Sequence, residues 1–320
     1  LFTLINRNKK AAVADLKNAE QLSSVLDLVR DADVFVENFK PGVAQRLGVG
    51  YEAIRAINPG IIYASISGFG QTGENSQLPA YDLVVQAMSG LMSITGETEG
   101  APTRVGESIA DLVAGLYASW AILAALFDRQ RCGKGTYLDV AMLDCLFSLM
   151  PTPIAQWMFS GQAPGRVGNR HPLSTPFGSF NAKDSQVVIA VLNNRQFSAL
   201  CQAMGRPELS QDPRFSSDEK RTQHEPVLRE VIESWLAAHT VESAIEILAA
   251  ANIPASPVLS MAQAIESAQS GQRPLLQTQH HHRLGDIPMM VQPVRSNTWA
   301  GPELRPAPSL GEHDSELYGK

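Results

Sequence analysis

Residues 32–70, ADVFVENFKPGVAQRLGVGYEAIRAINPGIIYASISGFG, carry the pattern on which the fold turns. Within them DVFVE (33–37) alternates apolar and polar side chains as a strand does. Pro41-Gly42 breaks the run, YEAIRAI (51–57) reads as a short helix, Asn58-Pro59-Gly60 turns the chain, and IIYASI (61–66) is a second apolar strand. Strand, helix and strand at this spacing predict a parallel, doubly wound sheet of Rossmann-like type, because a parallel return requires a crossover. Ligands of such sheets bind beyond the carboxyl ends of the strands. Those ends are Asn38-Phe39 and Ser67-Gly68-Phe69, each with glycine close behind.

Upstream, residues 19–30 place Leu22, Val25, Leu26 and Val29 at helical spacing. Downstream, IADLVAGLYASWAILAALF (109–127) is apolar over a length that raises the question of a membrane span, for which about twenty such residues suffice. Asp111 near its start and its many small residues suit a helix buried in protein. Gly133-Lys134-Gly135 then turns the chain into a strand at 136–142, followed by an apolar helix from Leu143. Residues 151–176 are rich in Pro, Gly and Arg and read as a connection. From Phe177 the pattern restarts as a compact unit: a strand at 186–191, a helix at 195–204, an exposed Asp212-Pro213-Arg214 turn, and helices at 225–238 and 241–251, closed by Pro254 and Pro257. The tail from about 273 is polar, with one expected strand. The expected organisation is a large domain at 1–160, a linker at 161–176, a small α/β domain at 177–257, and a return to the large domain at 258–320.

Composition narrows the function classes. With 44% hydrophobic and 18% charged residues over 320 positions the chain is of soluble globular type, long enough for two domains. A formal net charge of −6 argues against a nucleic-acid binder, which needs a sustained cationic face, so any anionic ligand must be held by a local site. Cys132, Cys145 and Cys201 form neither a disulfide framework nor a zinc pattern, and a reducing cytoplasm fits them best. The opening residues lack the order of a signal peptide.

Asp111 is the most informative single residue. It is the only charged side chain between Ile109 and Phe127, and a carboxylate entering so apolar a helix is costly unless something binds it. One reading is structural: Ser108-Ile109-Ala110-Asp111 has the spacing of a capping box. The other is a nucleophile held ionised at a helix start, and the two are compatible. Asp139 and Asp144 flank the 136–142 strand and read as structural ends. His280, His281 and His282 read as a solvated loop, since consecutive positions of a regular element cannot all face one metal. His171, beside Arg170, is placed to line a cleft. The glycines of SGFGQTG lack the spacing of the phosphate-binding fingerprints, and neither a Ser-His-Asp constellation nor a P-loop is present.

Several segments, in order along the chain, resemble the class III CoA-transferases (CaiB/BaiF), the family of formyl-CoA and carnitine CoA-transferases. They are ADVFVENFKPGVAQRLGVGYEAI (32–54), INPGIIYASISGFGQTG (57–73), PAYDLVVQAMSGLMSITG (79–96), RVGESIAD (104–111), GKGTYLDVAMLD (133–144), GNRHP (168–172), DPRF (212–215) and PAPSLGEH (306–313). The resemblance implies that Asp111 is the nucleophile of a covalent relay through aspartyl anhydride and aspartyl-CoA thioester, with coenzyme A thioester as substrate and no resident cofactor or metal. It implies CoA contacts from Ala14, Asp15 and Lys17, and from Asn38, Phe39, Lys40 and Arg46. Tyr81 falls where the transferases carry an active-site aromatic residue. Arg104 is a candidate partner for the free carboxylate of a dicarboxylic substrate.

The resemblance also implies an interlocked homodimer, with the active site at the interface, and a further strand–helix stretch before Leu1 without which activity is expected to be weak or absent. Related racemases have an acid–base histidine where Tyr81 stands, which argues against racemisation. The glycine-run loop of formyl-CoA transferases is replaced by GNRHPLSTP, which argues against a formyl-CoA/oxalate reaction, and Ser67 and Pro79 stand where some relatives have lysines. Small dicarboxylates such as oxalate, succinate or glutarate are the expected acids. A Rossmann-type oxidoreductase and a non-catalytic CoA-binding module are the readings from other classes.

Overall fold

The computed structural model describes residues 1–299 and 303–319. The chain divides into two compact units, one of residues 1–93, 104–164 and 268–320, the other of residues 94–103 and 165–267.

The first unit is built on helix α1 (Ala19–Val29), strand β1 (Val34–Glu37), α2 (Tyr51–Ile57), β2 (Ile62–Ser67), α3 (Asp82–Met88), α4 (Ile109–Cys132), β3 (Thr136–Ala141), α5 (Met142–Ser148) and α6 (Pro151–Ser160). The three strands form a parallel sheet in the order β1-β2-β3, with Val34 opposite Ile62 and Ser65 opposite Asp139. Apolar clusters cover both faces, as a parallel sheet requires. Tyr63 of β2 points into one cluster with Val29, Ala44, Val49 and Ile54; Ile66, on the opposite face, joins another with Val85, Ala110, Val113 and Leu146. Gly135 is required where the chain enters β3, since a Cβ there would lie 2.1 Å from the Ile61 carbonyl oxygen.

Three expectations are corrected in this unit. Helix α4 buries only one side, through Ala110, Val113, Ala114 and Ala118, while Leu112, Leu116, Trp120, Leu123 and Phe127 form an exposed stripe. The first part of the presumed connection is helix α6, because prolines in a first turn cost no intrahelical hydrogen bond and Gly161 (φ +69°) closes the other end. Of the tail histidines only His282 lies in an exposed turn. His280 and His281 end one strand of an antiparallel hairpin, Leu276–His281 with Gly285–Met290; His280 Nδ1 lies 2.9 Å from Asp286 Oδ1, and His281 is buried.

The second unit packs helices α7 (Asn194–Ala203), α8 (Asp218–Gln223), α9 (Glu225–Leu236) and α10 (Val241–Ala250) with an antiparallel sheet of β4 (Phe177–Asn181), β5 (Gln186–Ala190) and β6 (Ala255–Pro257). Its core includes Val187, Ile189, Phe197, Leu200, Leu228, Ile232 and Leu248. Arg221 is wholly buried at its edge. It donates to the carbonyls of Thr175 (2.7 Å) and Phe215 (3.1 Å), to Asn194 Oδ1 (2.8 Å) and to Asp218 Oδ1 (3.3 Å), and its guanidinium lies over the Phe197 ring.

Candidate active site

Asp111 stands in the first turn of α4, but it does not close a capping box. Ser108, at the cap, has φ −74° and ψ 66° rather than extended backbone, and its hydroxyl makes no capping bond. Its own N–H is taken by Glu107 Oε1 at 2.8 Å. The helix start is served from outside: Asp82, at the start of α3, accepts the Ala110 N–H through Oδ1 at 2.8 Å. Its other oxygen accepts from Gln86 Nε2 at 2.7 Å. Gln86 is fully buried; it also donates to the Glu107 carbonyl (3.3 Å), and its Oε1 accepts the Val105 N–H (2.9 Å). The segment leading into α4 is thus tied to α3 both before and after its turn.

The Asp111 carboxylate is exposed and has no hydrogen-bond partner among the described residues. Desolvation by the surrounding protein, and then the charge of Asp82, push its pKa up from the ordinary aspartate value. Both effects disfavour the anion. A more basic carboxylate is a better nucleophile towards an acyl carbon.

The same chain geometry brings Asp111 to the carboxyl end of the sheet. Gly68, just after β2, approaches Ala80 so closely that a Cβ there would fall 2.1 Å from the Ala80 Cβ. Ala80 is followed by Tyr81, a residue 81% exposed, and by Asp82. The end of β2, Tyr81 and Asp111 are therefore linked through one short run of residues. Beside them the Ser67 hydroxyl is buried without a hydrogen-bond partner.

The remaining expected contacts lie after β1 and before α1. Asn38, Phe39 and Lys40 are exposed immediately after β1, where Glu37 accepts the Phe39 N–H (2.7 Å) and the Ser65 hydroxyl. Arg46 is exposed, with its guanidinium folded back towards Gly42. Half-buried Ala14 and exposed Asp15 and Lys17 form the turn before α1, in which Asp15 Oδ1 accepts the Lys17 N–H at 3.0 Å. Leu16 from that turn and Ala44 belong to one apolar cluster.

Asp139 has a structural role, accepting the Gln71 N–H with both oxygens. His171 lines a pocket with Arg170 and Pro172, as expected; its Nδ1 accepts the Leu173 N–H and its ring stacks on Phe177 at 5.0 Å. Arg104 is exposed and donates to the carbonyl of its neighbour Val105. No cluster of metal-ligating side chains occurs among the described residues. Sequence reasoning passed over Asp82 and Gln86, although their i,i+4 spacing in YDLVVQ, with a glutamine on an apolar helix, was a readable signal.

The sequence profile of CoA-transferase family III matches residues 1–314. The acetyl-CoA:oxalate CoA-transferase of Acetobacter aceti is 40% identical over 318 residues, covering 99% of this chain and 80% of that protein. The succinate–glutarate CoA-transferase of Agrobacterium fabrum is 35% identical over 315 residues, covering 98% and 79%. Among solved structures, a CaiB/BaiF family protein from Brucella suis superposes with a TM-score of 0.84 at 33% identity, covering 99% of this chain and 83% of its own.

Proposed function

The chain belongs to CoA-transferase family III, and from that premise we propose that it moves coenzyme A from an acyl-CoA to a small dicarboxylic acid with Asp111 as the nucleophile. The observation that carries the reading is the exposed Asp111 carboxylate, free of hydrogen bonds and raised in basicity, at the carboxyl end of a parallel sheet. An Asp111 oxygen attacks the thioester carbonyl; the C–S bond breaks, leaving a mixed anhydride and CoA thiolate. The thiolate attacks the aspartyl carbonyl, forms an aspartyl-CoA thioester and releases the donor acid. The acceptor carboxylate attacks that thioester to form a second anhydride, and the thiolate then takes the acceptor acyl group and restores Asp111. Proton balance is preserved without a general base. Developing oxyanions are served by backbone N–H groups of the glycine-bearing turns.

CoA is held by Ala14, Asp15, Lys17, Asn38, Phe39, Lys40 and Arg46, whose cations supply the local positive charge that an acidic protein needs for a polyphosphate. Tyr81 lines the thioester end. Oxalate, glutarate and mesaconate, named in the relatives' activities, define the acceptor class. Acetyl-CoA and succinyl-CoA are the first donors to consider, because the glycine-run loop of formyl-CoA transferases is absent.

The active form is an interlocked homodimer in the cytoplasm. The exposed stripe from Leu112 to Phe127, with Trp157, Met158 and Phe159 on α6, is more apolar surface than a monomer ordinarily leaves to water. A second copy fits it better than a bilayer does, because the opposite face of α4 packs on β3 and α5. The test is a chromatographic assay of CoA exchange between these two donors and oxalate, glutarate or mesaconate. Transfer that is lost in Asp111→Ala supports the reading; transfer that survives in Asp111→Ala refutes it.

A further inference from the structure

We propose that Asp82 and Gln86 are positioning residues for the nucleophile: Asp82 takes over the capping of α4 from a neighbouring helix, so that the Asp111 carboxylate is left unencumbered. The inference rests on the aspartyl reading above. The first N–H groups of a helix have no intrahelical partners, and a carboxylate in the first turn is a natural acceptor for them. A carboxylate used that way is stabilised as an anion and is a poorer nucleophile. In this chain the obvious cap, Ser108, is turned away, and Asp82 Oδ1 holds the Ala110 N–H instead. Asp111, one residue further on, has no such bond.

Gln86 keeps Asp82 in that role. A wholly buried primary amide is costly unless it is bonded. Here its oxygen is assigned by the Val105 N–H and its nitrogen by the Glu107 carbonyl, so the amide can only present a donor to Asp82 Oδ2. The pair therefore couples three things: the buried face of α3, the segment that enters α4, and the rotational setting of the turn that aims Asp111. None of these contacts involves the residues assigned to the nucleotide part of CoA, Ala14 to Lys17 and Asn38 to Arg46, so the pair acts on chemistry more than on CoA affinity.

The test is rapid-quench measurement of Asp111 acylation by acetyl-CoA in a single turnover, with thioester affinity measured separately by calorimetry. The proteins are wild type, Asp82→Ala, Asp82→Asn and Gln86→Met. Asp82→Ala is expected to slow acylation roughly 10- to 100-fold, the effect of a small misplacement of a reacting group, with affinity changed less than about twofold. Asp82→Asn keeps an oxygen for the Ala110 N–H but sets its amide nitrogen against the Gln86 donor, so it is expected to fall between Asp82→Ala and wild type. Gln86→Met, which removes only the anchor, is expected to slow acylation at unchanged affinity, and it carries the test if Asp82→Ala does not fold. Variants that acylate as fast as wild type overturn the inference. So does a parallel loss of rate and affinity with Asn no better than Ala, the pattern of general unfolding. A wild type that forms no adduct overturns the aspartyl reading itself, and the inference with it.

Discussion

Replacing Arg221 by methionine tests the packing account of the second unit most severely. The guanidinium is fully buried and donates to two main-chain carbonyls, those of Thr175 and Phe215, that lie in the same buried region. Methionine retains much of the volume and none of the donors. Asn194 is exposed and Asp218 half-exposed, so water can replace the lost bonds there. The two carbonyls are left without partners at about 1–3 kcal/mol each. Loss of the cation over the Phe197 ring, 4.7 Å from its centroid, removes about 0.5–2 kcal/mol more. The expected cost is about 3–5 kcal/mol, the range found when one partner of a buried charged contact is removed. With a urea dependence of about 1–3 kcal/mol per molar, the midpoint of the transition falls by roughly 2 M. Urea unfolding followed by tryptophan fluorescence and circular dichroism measures this. Arg221→Lys keeps the charge, but it cannot reach carbonyls in several directions and is expected to recover only a minor part. A midpoint lowered by less than about 0.3 M in Arg221→Met, with the slope unchanged, would refute the reasoning.

Other parts of the structure make separate claims. Gly68→Ala places a Cβ against Ala80 and is expected to cost about 1–3 kcal/mol and to depress CoA transfer, as read by thermal melting and steady-state assay; an unchanged protein would contradict the close approach. Of the three cysteines only exposed Cys132 should react promptly with a disulfide reagent in the native state, since burial pushes the Cys145 thiol up and carries that of Cys201 up to about 11. Counting thiols released before and after denaturation checks this. Asp111, whose pKa rises on folding, makes the native state bind a proton more tightly than the unfolded chain, so it subtracts stability as pH rises through the window above the ordinary aspartate value. Asp111→Asn is therefore expected to melt higher than wild type at pH 7 and no higher at pH 3; a variant that melts lower at neutral pH would contradict the assignment.

Local chemistry made much of the fold legible. The strands at 33–37 and 61–66, the 51–57 helix and the helices of the second unit follow from periodicity and turn residues, and their observed bounds differ by a residue or two. Helix α6 is hidden in the sequence because its two prolines read as breakers, although Pro151 and Pro153 both sit in a first turn that tolerates them. Helix α8 escaped although Ser217, followed by Asp218 and Glu219, is a readable start. Residues 94–103 carry no periodic pattern of their own, and contacts distant in sequence assign them to the second unit. At the site, Asp111 stood out because a charge in an apolar run is conspicuous. The capping of its helix by Asp82 is a tertiary fact, formed by side chains 28 residues apart, and no window along the chain reveals it.

The most direct test of the central claim is peptide mass spectrometry of the full-length protein mixed with succinyl-CoA and trapped with hydroxylamine, with Asp111→Ala in parallel. Hydroxylamine converts an aspartyl-CoA thioester, with loss of CoA, to a hydroxamate on the carboxyl that carried it. The account predicts a hydroxamate confined to Asp111 and absent from the variant. CoA transfer that turns over with Asp111 unmodified, or with the label on another carboxylate, would contradict it.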